Sequence, residues 1–296
     1  MEEENQRTDR PPNSPLQILM TILLIIIIPL ALGLFLAPRL VSEPKIGVVR
    51  LNYDISGPSV QDMLSQFAYA RRDDSIKAVV MYVNSPGGSA AYSEELFLDI
   101  LNTRKEKPVI ATVDLLAASG AYYAAAAADE IYAKPTSSIG SIGVIAVLPG
   151  PVFIDEDLLT TGPYKAFGGT RDSFMRQMEI SKNAFLEAVR IGRGDRLAIE
   201  PEFLSRAEIF SGAQAEAMGL VDGLLSGDEA IQRAAELAGI KNYQVVELSD
   251  LALPDEKNND ETQEIYRSAV VDSRRLWAAP KDLPAGLYYR YIVPSR

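Results

Sequence analysis

The sequence predicts an α/β domain built on a largely parallel sheet and carried behind one transmembrane helix. Three observations lead to that expectation. From residue 45 onward, short apolar runs alternate with amphipathic stretches. One run, AVVMYV at 78–83, is apolar throughout, which suits a strand covered on both faces by crossover helices. And Leu16 to Ala37 carries no charged residue at all.

In chain order, residues 1–15 are polar and Pro-bearing, with too little apolar surface to fold. Residues 16–37 form the anchor. At ~1.5 Å rise per residue such a helix crosses a hydrocarbon core of ~30 Å. A cleaved signal peptide is the alternative, but its apolar region would be about 7–15 residues long and would end in small residues. This stretch is longer, and an acidic leader precedes it. Pro29 can kink it. Arg7 and Arg10 on one side face Arg39, Lys45 and Arg50 on the other, so the charge count leaves the orientation open.

Beyond the anchor, Ile46–Leu51, Ile76–Val83 and Val109–Val113 are expected as strands. Val60, Met63, Leu64 and Phe67 recur with helical spacing, and Leu96, Phe97, Ile100 and Leu101 share one helix face. Further helices are expected over 172–190, 201–206, 213–218 and 228–238. The domain thus runs over 45–248, and 249–296 is a polar tail that ends in an aromatic cluster, LYYRYIV, expected to pack on the body or on a neighbour.

Composition narrows the chemistry. A formal charge of −11 disfavours nucleic acid as a partner, because phosphate binding needs clustered Lys and Arg. The chain has no Cys and no His. Thiolate nucleophiles, disulfides, Ser/His/Asp triads and the usual zinc sites are therefore excluded. Acid–base work falls to Lys, Asp, Glu or Tyr.

Two segments could carry chemistry. NSPGG at 84–88 follows the buried strand, where open α/β sheets place ligands. Its glycine pair could bring backbone N–H groups to an oxyanion or a peptide strand, although a plain Pro-Gly turn would look the same. Ser119 follows a second buried strand and precedes an Ala-rich helix beginning near Gly120. Amides at that helix start favour negative charge, so the Gly120 N–H is a natural oxyanion donor; the alternative is that Ser119 merely caps the helix.

A serine hydroxyl needs a base, and without His a lysine is the substitute. Such a lysine must be neutral near pH 7, which requires an apolar setting. Of the ten lysines, Lys165 in TGPYKAFGG fits best, followed by Lys134 in YAKPTSS and Lys182 in ISKNAF.

Taken together, VNSPGGS at 83–89, AASGAYYAAAAADEIYA at 117–133, SSIGSIGV at 137–144, TGPYK at 161–165, and GRG with FSGAQAEAMGLVD at 192–222 resemble the signal peptide peptidase A family, relatives of ClpP and the crotonases. The resemblance runs from about Lys45 to Ser226. It implies a ClpP/crotonase-like fold with repeated ββα units. By motif position it implies Ser119 as nucleophile, Lys165 as base, Ser141 orienting the lysine amine, and Gly88 and Gly120 as oxyanion donors. It further implies a serine endopeptidase acting on remnant signal peptides or other peptides near the membrane, bound as an added strand beside NSPGG. The catalytic domain would be extracytoplasmic, in a homo-oligomer whose sites lie between protomers, with no cofactor or metal. The competing readings are an inactive membrane-anchored scaffold of the same fold and a crotonase-type acyl-CoA enzyme.

Overall fold

The computed structural model describes residues 14–40, 43–148, 160–165, 168–253 and 286–290. The chain divides into two units between Glu43 and Pro44.

The first unit is helical: α1 (Pro15–Ile22), one π turn at Leu23–Ile27, and α2 (Ile28–Leu40). Ser14 starts it with a capping box. The Gln17 N–H donates to Ser14 Oγ at 3.3 Å, and the Ser14 N–H donates to Gln17 Oε1 at 3.0 Å. The π turn stops just short of Pro29, which has no N–H to return to the Ile25 carbonyl and whose ring would press on it in a regular α turn. Pro15–Gly33 is long and apolar enough to cross a membrane. Among the described residues its Leu and Ile side chains lie exposed, Ile25 by 68%.

The second unit is built on a sheet. In chain order its elements are β1 (Lys45–Leu51), α3 (Gly57–Arg72), β2 (Ile76–Ser85), β3 (Gly87–Ser89), α4 (Ala90–Arg104), β4 (Val109–Ala118), α5 (Gly120–Ala125), β5 (Glu130–Ala133), β6 (Ser138–Gly140), β7 (Ile145–Val147), α6 (Arg171–Arg193), α7 (Pro201–Leu204), β8 (Ile209–Ser211), α8 (Gly212–Ala217), β9 (Gly223–Leu224), α9 (Gly227–Leu237), β10 (Gln244–Glu247), α10 (Leu248–Ala252) and β11 (Gly286–Arg290). The main sheet runs β10-β1-β2-β4-β5-β9, parallel throughout, with β6 parallel to β4 and β8 antiparallel to β6. A second sheet, β3-β11-β7, is antiparallel.

The fully apolar strands have a direct cause. Val79, Met81 and Val83 face a core shared with α3, α4 and α5, whereas Ala78, Val80 and Ile110 face Ala230, Ala234 and Ala235 of α9. With both faces covered, no polar alternation is possible. The predicted strands and helices appear at the expected places; β2 and β4 run further than expected, to Ser85 and Ala118.

The GRG and LVD motifs meet in a buried ion pair. Arg193, 1% exposed, donates from Nη1 and Nη2 to the two Asp222 carboxylate oxygens at 2.7 and 2.9 Å, and from Nε to the Gly219 carbonyl at 2.7 Å. Asp222 also accepts from the Ile131 N–H at 2.7 Å and from Arg196 Nη1 at 2.9 Å. One carboxylate therefore ties α6 to β5 and to the turn before β9. Gly192 permits the approach, since a Cβ there would stand 1.9 Å from the Ala126 carbonyl oxygen. Burial opposes ionisation of Asp222, but the hydrogen bonds and charge of Arg193, with Ile131 and Arg196, outweigh it and hold the carboxyl below the usual carboxylate range.

Removing one partner leaves the other charge buried alone. Arg193→Met or Asp222→Ala is therefore expected to cost about 3–5 kcal/mol in urea denaturation of the full chain. A loss below about 1 kcal/mol would show that the pair is not structural. The lowered pKa also gives a sign for pH: Asp222 contributes stability that is complete above its unfolded value near ~4 and is lost as pH falls through the folded value. The acid-side decline in unfolding midpoint should accordingly be shallower in Asp222→Asn than in the parent.

Candidate active site

The site grows from the end of β4. Along Ile110–Val113 this strand pairs with β5, and along Leu116–Ala118 it pairs with β6 instead. The exchange of neighbours falls at Asp114 and Leu115 and is pinned by the Ser137 hydroxyl, which lies 3.1 Å from both the Val113 and Asp114 carbonyls. Changes of strand neighbour of this kind open crevices at strand C-termini.

Ser119 is the first residue past β4. Its N–H donates to the Gly140 carbonyl at 2.8 Å, and its own carbonyl accepts from the Tyr123 N–H at 2.9 Å. Between these constraints its backbone is left-handed, with φ 56° and ψ −124°. The hydroxyl makes no capping bond to α5. It is buried, and its oxygen has no hydrogen-bond partner. Capping therefore does not explain this serine. A non-glycine residue with positive φ and an unsatisfied buried hydroxyl costs stability twice, a combination that clusters at active sites.

Ser141 repeats the pattern one strand over. Ala118 pairs with Gly140, so Ser119 and Ser141 each follow the end of one of two neighbouring strands. Ser141 also has positive φ, 52°, and its N–H donates to the Glu208 carbonyl at 2.7 Å.

The glycines of the 84–88 loop are held close. The Gly87 N–H donates to Ser85 Oγ at 3.1 Å, and its carbonyl accepts from the Ile55 N–H at 3.0 Å. A Cβ on Gly88 would stand 2.1 Å from the Ile55 carbonyl oxygen, so only glycine fits. A Cβ on Gly87 would fall 2.0 Å from the Tyr289 carbonyl oxygen and 2.6 Å from the Gly120 nitrogen. A Cβ on Gly120 would meet Ser93 Oγ at 2.2 Å and that same Tyr289 oxygen at 3.1 Å. One carbonyl oxygen is thus gathered against Gly87 and Gly120, beside Ser119. Sequence reasoning singled out Gly88 and Gly120 but neither Gly87 nor Tyr289. Both had a signal, in the doubled glycine and in the aromatic cluster near the C-terminus.

The lysines separate cleanly. Lys134 is ion-paired to Asp114 at 2.8 Å, and Lys182 to Glu179 on its own helix. Lys165 lies in the turn 160–165, exposed, with its N–H donating to the Gly162 carbonyl at 3.2 Å. Because the Ser119 hydroxyl has no partner, the single chain does not bring Lys165 to it. Lys165 therefore differs from the buried, apolar setting that a basic lysine requires. Its exposure follows from its place on a surface turn.

Fold and site together define a Clp-protease-like α/β protein with a strained serine at a change of strand neighbour. Residues 39–140 match the Clp protease family and residues 102–241 match peptidase family S49. Over residues 102–241 the chain is thus similar to peptidase family S49. A Methanocaldococcus jannaschii protein named as a protease is 32% identical over 189 residues, 60% of this chain and 61% of its own length. Protease 4 of Salmonella typhi is 32% identical over 193 residues, 60% of this chain and 31% of its own. The chloroplastic serine protease SPPA of Arabidopsis thaliana is 26% identical over 231 residues, 73% of this chain and 34% of its own. The matched region thus spans about a third to three fifths of these relatives.

If Ser119 is held against its own preference, relieving the backbone should stabilise the fold. Ser119→Gly is expected to gain about 1 kcal/mol in chemical denaturation. A loss of similar size would mean that the hydroxyl supports the fold after all.

Proposed function

We propose that this chain is a membrane-anchored serine endopeptidase that uses Ser119 and Lys165. The observation that carries the reading is the Ser119 hydroxyl, buried, unpartnered and on left-handed backbone beside two glycines that crowd one carbonyl oxygen. Ser119 Oγ attacks the peptide carbonyl, and the developing oxyanion takes N–H bonds from Gly88 and Gly120. Lys165 accepts the hydroxyl proton and delivers it to the leaving amine, and water then releases the acyl group through the same base. Ser141, at the end of the neighbouring strand, orients the lysine amine.

The exposure of Lys165 in one protomer supports a base supplied across a subunit boundary. The active unit is then a homo-oligomer. The apolar helix spanning Pro15–Gly33 supports single-pass anchoring. The resemblance to the signal peptide peptidase A family supports an extracytoplasmic catalytic domain and, as substrates, remnant signal peptides or other peptides at the membrane.

Ser119→Ala and Lys165→Ala, each folded and assembled, are expected to lose roughly a thousandfold or more in peptide-ester hydrolysis. If the pair meets across protomers, mixing the two inactive variants in equal amounts before assembly restores about a quarter of the parent sites. Hydrolysis at the parent rate by either variant alone would sink the reading, and zero recovery on mixing would place both residues in one protomer.

A further inference from the structure

Gly88 and Gly120 reach the site on different elements, and a buried hydroxyl stands between those elements. Gly88 lies in β3, and Gly120 opens α5. Ser93, in the first turn of α4, is fully buried. Its hydroxyl donates to the carbonyl of Ser89, the last residue of β3, at 2.8 Å. The same oxygen is the atom that a Cβ on Gly120 would meet first, at 2.2 Å. One turn further along α4, Phe97 meets Tyr123 of α5 edge to face at 5.1 Å. Ser93 and Phe97 therefore share the α4 face that packs on α5.

The rest of the β3 loop is fixed from elsewhere. The Ser89 N–H donates to the Ile55 carbonyl at 2.9 Å, the Ile55 N–H to the Gly87 carbonyl at 3.0 Å, and the Gly87 N–H to Ser85 Oγ at 3.1 Å. Those bonds set the loop against the segment after β1 and the end of β2, and Ser93 sets it against α5. A serine inside a helix is a weak helix former and commonly bonds back to the carbonyl four residues earlier. Ser65 does so on α3, to the Gln61 carbonyl at 3.0 Å, in an exposed setting. Ser93 differs in what its oxygen touches. Without that oxygen, the Ser93 atom nearest to a Cβ position on Gly120 is its own Cβ, at 3.2 Å instead of 2.2 Å. Alanine would thus open a gap of about 1 Å through which Gly120 can shift toward α4. The donors of an oxyanion hole act over only about 2.7–3.1 Å, so a shift of that size removes one of them.

We propose that Ser93 is the positioning residue of the oxyanion hole, its hydroxyl setting the spacing at which the Gly88 and Gly120 amides converge. The proposal rests on the Ser119 reading above, in which those two amides take the developing negative charge. Ser93 does not hydrogen-bond the Ser119 hydroxyl, which has no partner, and acts through Gly120. An oxyanion needs both donors more than a ground-state carbonyl does. Losing the spacing therefore lowers kcat and leaves KM.

The test uses the full chain in detergent with an acetyl-Leu-Leu-Ala ester. Ser93→Ala should lower kcat about thirtyfold while KM changes less than about twofold. Ser65→Ala, which removes the same kind of helix bond, should keep kcat within about twofold of the parent. The matching peptide aldehyde takes Ser119 Oγ at its carbonyl carbon, with the serine proton passing to the base and the former carbonyl oxygen entering the hole. Its inhibition constant should rise about thirtyfold in Ser93→Ala, in step with the fall in kcat. The corresponding peptide alcohol forms no such adduct, and its inhibition constant should change less than about twofold. If Ser93→Ala keeps kcat within about twofold of an active parent, the positioning role is overturned and the peptidase reading stands. Equal weakening of aldehyde and alcohol has the same meaning, because it marks a general change of the groove. A parent with no Ser119-dependent turnover would overturn the peptidase reading and the positioning role with it.

Discussion

Strand β4 must be shared between two neighbours, and the site depends on that constraint. Its first half is committed to β5 and its second half to β6. Where the second pairing ends, the Ser119 N–H is still bound to the Gly140 carbonyl while its carbonyl already belongs to α5. The chain has one residue in which to turn from strand to helix, and a left-handed backbone is the result. Gly140 and Ser141 turn away at the same level with positive φ of their own. The strain is thus set by hydrogen bonds on every side and does not depend on any single side chain.

A second layer supports this arrangement from behind. Asp222 gathers Arg193, Arg196 and the Ile131 amide, so that α6 and β5 cannot separate without exposing a charge. α6 in turn carries Phe185 and the Ser181 carbonyl, which line the groove where β11 lies. Folding energy invested at the GRG and LVD motifs is in this way transmitted to the shape of the site. Those motifs act on the fold, at a distance from Ser119.

Much of this was legible in the sequence, for physical reasons. The buried strands stand out because two covered faces demand apolar residues at every position, as in Ala78–Val83. Ser119 stands out because it follows such a strand just ahead of an alanine-rich helix. Strands such as β3, β6, β7 and β8, of three residues each, leave no periodicity to detect. The continuation of β4 beyond Val113 was hidden by Asp114, a charge that reaches the surface and pairs with Lys134. Residue types identified Lys165 as the candidate base, but flanking Tyr and Phe do not make its surroundings apolar, since Tyr164 is itself 53% exposed. The aromatic run near the C-terminus announced surface to bury, but the partner of Tyr289 lies some 170 residues away at Tyr123, a pairing that only the fold supplies.

The absence of imidazole and thiol has an effect beyond the choice of base. Histidine is the side chain whose ordinary pKa lies between about 5 and 8, and cysteine titrates just above. A chain with neither holds its acidic surface nearly constant at a formal −11 through that interval. Its electrostatic field is then effectively buffered against acidification or alkalinisation of its surroundings. Apart from an α-amino group, any side-chain response to pH in that window has to originate in groups displaced from their ordinary range.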